Sequence, residues 1–496
     1  MNLNSATAQD TAGTAVNGLV EKARAAMAAF ADADQARVDE AVTAIAWSIY
    51  EPGRARELAE LAVRDTGLGN VESKIVKNQR KTFGCLRDLM RVRTVGVIGD
   101  DAKTGIVKYA KPVGVVCAVA PSTNPAATPV NKAMFSVKGR NAVIIAPSPA
   151  GLGATTQTVD FMRAELEIVG APADLVQVLP APVNKALTQA LMAACDLVVV
   201  TGSANNVHRA YSSGTPAIGV GPGNVPVIID SSAELTDAAE KICASKIFDN
   251  STSCSSENSV IILDDVYDDA VAALVAAGGY LCSADEKDRI ERTLWTDGHL
   301  NRRVIAKDAP VFAAECGLAA APKSAKFFMV EETGADSPFA DEKLSLVLTV
   351  YRAADFGAAF DQVLAVLDVC GSGHSVGIHT NDMDHARKLA EELATVRVLV
   401  NQPPTFGNRA RLAIDCARSA STSPVIAANA PNFSFGCAPL FDVLTTRPAL
   451  ASSSPSTSSP TARAWVSGAI RSAITCALAT VRLTITTSLG FSLASS

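Results

Sequence analysis

Apolar residues recur every three to four positions through the first hundred residues, as Leu19, Ala23, Ala26 and Phe30 and then as Val38, Val42, Ile45 and Ile49. This spacing sets them on one face of a helix, so the stretch reads as amphipathic helices. From Gly114 the rhythm changes to short apolar runs bounded by Gly and Pro: Gly114 to Ala120, Ala142 to Ala146, Val176 to Leu179, Leu197 to Val200, and Val225 to Ile229. Helical stretches such as Thr156 to Val169 and Lys185 to Ala194 lie between most of them. Uniformly apolar strands alternating with helices predict an α/β fold, with a parallel sheet covered on both faces.

A second series follows Asp230, with apolar runs at Val260 to Leu263, Leu346 to Val350, Val376 to His379 and Val396 to Val400. It predicts a second α/β domain, whose first helix opens with Ser231-Ser232-Ala233-Glu234 read as a capping box. The expected division is therefore 1–229, 230–405 and a remainder at 406–496. Beyond Asn408 there is no lysine or glutamate, the acids are Asp415 and Asp442, and Ser, Thr, Ala and Pro dominate. Such a tail buries little and is expected to be disordered or poorly packed. Its abrupt onset also suggests a shifted reading frame near residue 408.

Over 496 residues the net charge is −6, which supplies no basic face for a nucleic acid. Small molecules and further copies of the chain are the expected partners. No apolar run is long enough to span a bilayer, and Met1 to Thr14 lacks the basic flank and apolar core of a secretory signal. A membrane partner is not expected, and the reducing cytoplasm is the expected location. The eleven cysteines form no CxxC pair and no Cys/His spacing suited to zinc, so neither a metal nor disulfides are expected.

One cysteine differs in its surroundings. Cys254 lies in Phe248-Asp249-Asn250-Ser251-Thr252-Ser253-Cys254-Ser255-Ser256-Glu257-Asn258-Ser259, a polar segment leading into Val260-Ile261-Ile262-Leu263. A packing cysteine is usually wrapped in apolar side chains, whereas a nucleophile needs access and polar neighbours. Cys117, Cys195 and Cys370 sit in or beside apolar runs and read as packing residues. The five histidines form no convincing ligand pair, and His374 and His379 read as structural.

Pro112-Val113-Gly114-Val115-Val116, Pro121-Ser122-Thr123-Asn124-Pro125, Val200-Thr201-Gly202-Ser203, Gly219-Val220-Gly221-Pro222-Gly223-Asn224, the Cys254 segment, Glu342-Lys343-Leu344 and Val398-Leu399-Val400-Asn401 follow one another in that order. Together these blocks resemble the aldehyde dehydrogenase superfamily, and within it the coenzyme A-acylating branch. Thr66-Gly67-Leu68-Gly69-Asn70 and Pro121 to Pro129 are most similar to acylating sulfoacetaldehyde dehydrogenases. The resemblance spans roughly residues 15–408. It implies a Rossmann-type cofactor domain joined to an α/β catalytic domain, and homo-oligomers.

The resemblance also implies site roles. Cys254 would attack an aldehyde, with Asn124 and the Cys254 N–H holding the oxyanion, and Thr123 as the fallback donor. Backbone N–H groups of the Ser/Thr-rich turn would help form the thiolate. Ser148, Thr201, Gly202, Ser203, Gly221 and Glu342 would meet NADP or NAD, with Glu342 on the nicotinamide ribose. Two bland readings stand beside these: Glu342 as a surface charge and the Thr201-Gly202-Ser203 stretch as simple helix capping. The Gly219 to Gly223 stretch reads chiefly as a tight turn near the site.

Hydrolytic members of the family carry a water-activating glutamate in the block matching Gly219 to Pro226, and this chain has no carboxylate there before Asp230. Coenzyme A is then the expected acceptor of the thioester. The first substrate expected is sulfoacetaldehyde, with Lys132, Lys138, Arg140 and Arg209 available to anchor its sulfonate. The alternatives are a short uncharged aldehyde, an acyl-activated reductase, or an inactive scaffold. Around Ala146-Pro147-Ser148-Pro149 no acid would repel a 2′-phosphate, so NADP is permitted and Ser148 could accompany either cofactor; the resemblance to sulfoacetaldehyde dehydrogenases tilts the expectation towards NADP.

Overall fold

A computed structural model describes residues 3–372 and 374–405. The expectations for 406–496 fall outside these. The N-terminal region forms helices Leu3–Ala29, Gln35–Tyr50 and Pro52–Thr66. Val38, Val42, Ile45 and Ile49 are all completely buried, as their spacing predicts. A helix starting at Val71 passes through a π-helical turn, Lys77–Lys81, before resuming as Thr82–Leu89. Such turns widen a helix locally and are frequent at functional sites. The first hundred residues are not purely helical, because Val97–Asp101 pairs with Ile106–Tyr109 as an exposed antiparallel hairpin.

Five parallel strands make the first sheet. Their spatial order is Val176–Val178, Ala142–Ala146, Val115–Val119, Leu197–Thr201, Ala217–Val220. Numbered by chain position this is 3-2-1-4-5, the order of a dinucleotide-binding sheet. Its direction reverses between Val115–Val119 and Leu197–Thr201, and ligands bind beyond the carboxyl ends of strands at such a reversal. Pro121 to Asn124 and Thr201 to Ser203 both follow those ends.

The second sheet has seven parallel strands: Gly279–Leu281, Phe327–Glu332, Val347–Ala353, Ser259–Leu263, Pro226–Ile229, Ser375–His379, Arg397–Val400. Alternate side chains serve two cores. Val227, Ile229, Val260 and Ile262 pack on one face, while Ile228, Ile261, Val376 and Ile378 pack on the other. Both faces are thus buried, which explains the unbroken apolar runs.

Three expectations need correction. Pro226–Ile229 pairs with Ser259–Leu263 and Ser375–His379, so it belongs to the second sheet and the seam falls between Val220 and Pro226. Gly279–Leu281 and Phe327–Glu332 were not anticipated; the first is three residues long and the second has no Gly or Pro at its edges. The capping box does not form, since Glu234 is the N-cap of Leu235–Lys246 without a side-chain bond. Ser232 Oγ instead donates to the Asp230 carboxylate and accepts from the N–H of Asn381. No helix among the described residues is long and apolar enough to cross a membrane.

Candidate active site

The turn before Cys254 is held in an unusual backbone conformation. Asp249, Asn250 and Ser251 have φ of 51°, 52° and 61°. Left-handed residues other than glycine cost roughly 1–3 kcal/mol each and persist only where neighbours enforce them. Asp249 is the enforcer: Oδ1 accepts from Asn70 N at 2.9 Å, and Oδ2 accepts from Lys74 Nζ at 3.1 Å, from Lys77 Nζ and from the Thr252 hydroxyl. Gly69 must be glycine here, because a Cβ would lie 1.9 Å from Asp249 Oδ1 and its φ is +73°. Asn250 donates to Asp308 Oδ1 at 2.8 Å, and Ser251 donates to Lys246 O at 2.7 Å.

Cys254 is half-buried, whereas residues 249–253 and 255–263 on either side of it are buried. The turn thus exposes one side chain into a cleft of about 1120 Å³. Burial pushes the Cys254 thiol above its ordinary value; Lys81 opposes this, Glu342 adds to it, and Arg397 and Lys77 oppose it. Lys81, Arg397 and Lys77 thus favour the thiolate, while hydroxyls of the turn bond to one another, as in Ser253 with Ser255 and Ser251 with Ser256. The sequence reading missed Lys77, Lys81 and Arg397, which lie more than 140 positions from Cys254 along the chain.

Asn124 lines the same cleft as Cys254, in the loop after Val115–Val119. Lys74 Nζ donates to the Thr123 carbonyl at 3.2 Å and so fixes this loop. Neither the Asn124 amide nor the Cys254 N–H has a hydrogen-bond partner among the described residues. Two donors are thus left to face a ligand.

Ser148, Thr201, Gly202, Ser203, Gly221 and Glu342 all line the same cleft. The Ser148 hydroxyl accepts from Gly151 N at 3.2 Å and keeps its proton to donate. Ser203 caps the eight-residue helix Ala204–Tyr211, so its hydroxyl is engaged at 3.4 Å by Asn206 N, and a phosphate there would meet first-turn amides. A Cβ on Gly221 would meet nothing within 4 Å and would project into open space. Glu342 is not a surface charge. Burial lifts it to about 7 against the Gly223 N–H, which favours the ionised form.

Gly221 to Gly223 cross from one sheet to the other directly over the nucleophile. A Cβ on Gly223 would lie 2.6 Å from Cys254 O, 3.2 Å from His374 Cδ2 and 3.3 Å from Cys254 Cβ. His374 is thus a neighbour of the site and not merely a strand-flanking residue; burial pushes it down to about 3, so its imidazole is neutral. No spacing signal in the sequence pointed to it. Asp230 serves elsewhere, bonding Thr380 and His385. Among the described residues Glu342 is the one carboxylate lining the cleft.

The four expected sulfonate anchors separate on inspection. Lys138 is paired with Asp39, and Arg140 donates to Ala31 O at 2.7 Å; neither lines the cleft. Lys132 does, but its ammonium is tied to Val119 O and Val199 O at 2.6 and 2.9 Å, and burial lowers it to about 7. Arg209 lines the cleft from helix Ala204–Tyr211.

Comparison with known proteins agrees with this geometry. Residues 2–289 match the family model described as "Aldehyde dehydrogenase family". A sulfoacetaldehyde dehydrogenase (acylating) of Cupriavidus necator is 52% identical over 398 residues, covering 80% of this chain and 81% of that protein. A second of that name, from Bilophila wadsworthia, is 44% identical over 400 residues, covering 79% and 86%. The crystal structure of an acetylating aldehyde dehydrogenase from Geobacillus thermoglucosidasius aligns with a TM-score of 0.78 at 34% identity, covering 82% of this chain and 90% of that one. With its sheet order, its nucleophile turn and these relatives together, the chain belongs to the aldehyde dehydrogenase family.

Proposed function

We propose that the chain is an NAD(P)-dependent, CoA-acylating aldehyde dehydrogenase whose nucleophile is Cys254. The observation that carries this reading is an accessible thiol beneath a crossing segment, Gly221-Pro222-Gly223, that bears no carboxylate. The Cys254 sulfur bonds to the aldehyde carbon, and the resulting oxyanion takes hydrogen bonds from the Asn124 amide and the Cys254 N–H. A nicotinamide dinucleotide supplies the hydride acceptor when bound. Its phosphates fit the amides after Thr201, and its ribose hydroxyls fit Glu342. Loss of hydride leaves a thioester on Cys254. With no carboxylate on the crossing segment to activate water, the acyl group passes to coenzyme A: its thiol sulfur bonds to the acyl carbon, the bond to Cys254 breaks, and the thiol proton ends on the released Cys254 sulfur.

The two relatives named acylating sulfoacetaldehyde dehydrogenases support sulfoacetaldehyde as the first substrate, ahead of a short uncharged aldehyde. NADP suits a cleft with one carboxylate and with Lys185 and Arg209 among its walls. A homo-oligomer in the cytoplasm belongs to the same reading, and light scattering on the purified chain tests its assembly. Nicotinamide absorbance followed with and without coenzyme A tests the chemistry. Strong dependence on coenzyme A is expected, and equal rates in both would reject the acylating assignment.

A further inference from the structure

The cleft is strongly cationic on a chain whose net charge is −6. Most of these cations have tasks already. Lys77 is held by Asp249 and the Thr252 hydroxyl, and Lys132 by two carbonyls. Lys185 and Arg209 stand on helices beside the reversal of the first sheet, the dinucleotide end. Three remain: Arg80, Lys81 and Arg302 line the cleft and have no carboxylate partner among the described residues.

Their placement is specific. Arg80 and Lys81 end the π-helical turn whose Lys77 bonds Thr252 at 2.8 Å, two residues before the nucleophile. Arg302 lies on the segment after the Trp295–Leu300 hairpin, and that segment is tied back to the site by Gly69 N to Ala306 O at 3.0 Å and Ala306 N to Leu344 O at 2.8 Å. Two walls tied to the Cys254 turn thus present positive charge, exposed at Arg80 and Arg302 and half-buried at Lys81, whose charge acts on the Cys254 sulfur. Burial costs a cation several kcal/mol unless an anion compensates it. Lys81 is half-buried, and that burial lowers its pKa, with the Cys254 sulfur acting in the opposite direction.

We propose that Lys81, together with Arg80 and Arg302, forms an anion subsite that binds the charged tail of the aldehyde and makes the enzyme selective for short aldehydes bearing a sulfonate. This rests on the acylating reading above. An aldehyde whose carbonyl carbon meets Cys254 and whose sulfonate sits on the next carbon brings three acceptor oxygens to this wall. Lysine and arginine donors meet them through charge-assisted hydrogen bonds. A cleft carrying only the anchors needed for dinucleotide phosphates would not require cations at the nucleophile end.

The test compares kcat/KM for sulfoacetaldehyde with that for propanal, a neutral aldehyde of similar length, in the wild type and in K81M, R302M and K81R. The wild type should favour the sulfonate. Its ratio should fall about 10- to 100-fold in K81M, the usual range for losing a hydrogen bond to a charged group, and much less in K81R, which keeps the charge. An unchanged ratio with both rates lowered would mean that Lys81 serves only the thiolate, and would overturn the proposal. So would a rise confined to the KM for coenzyme A, which would assign the cations to its phosphates. If the wild type turns over neither aldehyde with coenzyme A, the acylating reading fails by itself. The subsite is then read by mass spectrometry of Cys254 labelled with iodoacetamide, each protein compared with and without ethanesulfonate: the anion should slow labelling of the wild type and leave that of K81M unchanged, and an equal proportional slowing in both would overturn the subsite.

Discussion

Lys74 Nζ lies 3.1 Å from Asp249 Oδ2 and also 3.2 Å from the Thr123 carbonyl, so one buried ammonium joins the nucleophile turn to the loop carrying Asn124. Burial lowers Lys74 to about 8, against the pull of Asp249. The carboxylate and the lysines therefore depend on each other. The proposed attacking group, Cys254, and the proposed oxyanion donor, Asn124, stand beside different sheets, and this contact ties their two segments together.

Replacing Asp249 with alanine should cost about 3–5 kcal/mol, because Lys74 and Lys77 would be left buried without a counter-charge. Burial pushes Asp249 up, but Lys77 and Lys74 outweigh it and hold the carboxyl below its ordinary range. A depressed carboxyl contributes stability above its unfolded value and loses it as pH falls through the folded one. Urea midpoints of wild type and D249A should differ most near neutrality and draw together in acid. A constant gap would contradict the pairing.

Cys254→Ser should abolish aldehyde oxidation while dinucleotide binding, followed by fluorescence quenching, stays nearly intact. Asn124→Ala should lower kcat about 10²- to 10³-fold as a lost oxyanion donor. A small effect would move the donor role to Thr123.

Glu342 titrates near 7 and would accept hydrogen bonds from ribose hydroxyls only when ionised. The KM for the dinucleotide should fall as pH rises through about 7 and level off above it. In E342Q this dependence should vanish, with KM high throughout; a persisting inflection would assign it to another group.

Lys81→Met removes the largest influence that lowers the Cys254 thiol, so its pKa should rise further. Alkylation of Cys254 at pH 8 should slow, and the pH profile of labelling should move to higher pH. An unmoved profile would show that the Lys81 charge does not reach the sulfur.

Much of the architecture was legible because both sheets are parallel and buried on both faces, which writes strands as short apolar runs. Lys185–Ala194 was found to the residue, and Cys254 stood out by the run of polar residues on both sides of it, unlike Cys117 and Cys195 in or beside apolar runs. Other elements carried weak signals. Phe327–Glu332 has charged edges and no Gly or Pro to mark it, and Pro226–Ile229 gives no sign of which sheet it joins. His374 was set aside because its position beside Gly223 and Cys254 depends on a strand 120 residues downstream of the nucleophile.

The sequence by itself determined the strand and helix rhythm, the family and which cysteine is proposed as the nucleophile, because these depend on local periodicity and on ordered short blocks. Tertiary structure decided which charges surround that nucleophile. Lys77, Lys81 and Glu342 reach one cleft from distant stretches of chain, and Lys138 and Arg140 are taken out of it by Asp39 and by the Ala31 carbonyl in the N-terminal region. A charge acts through distance and burial, and neither quantity is carried by the order of residues alone.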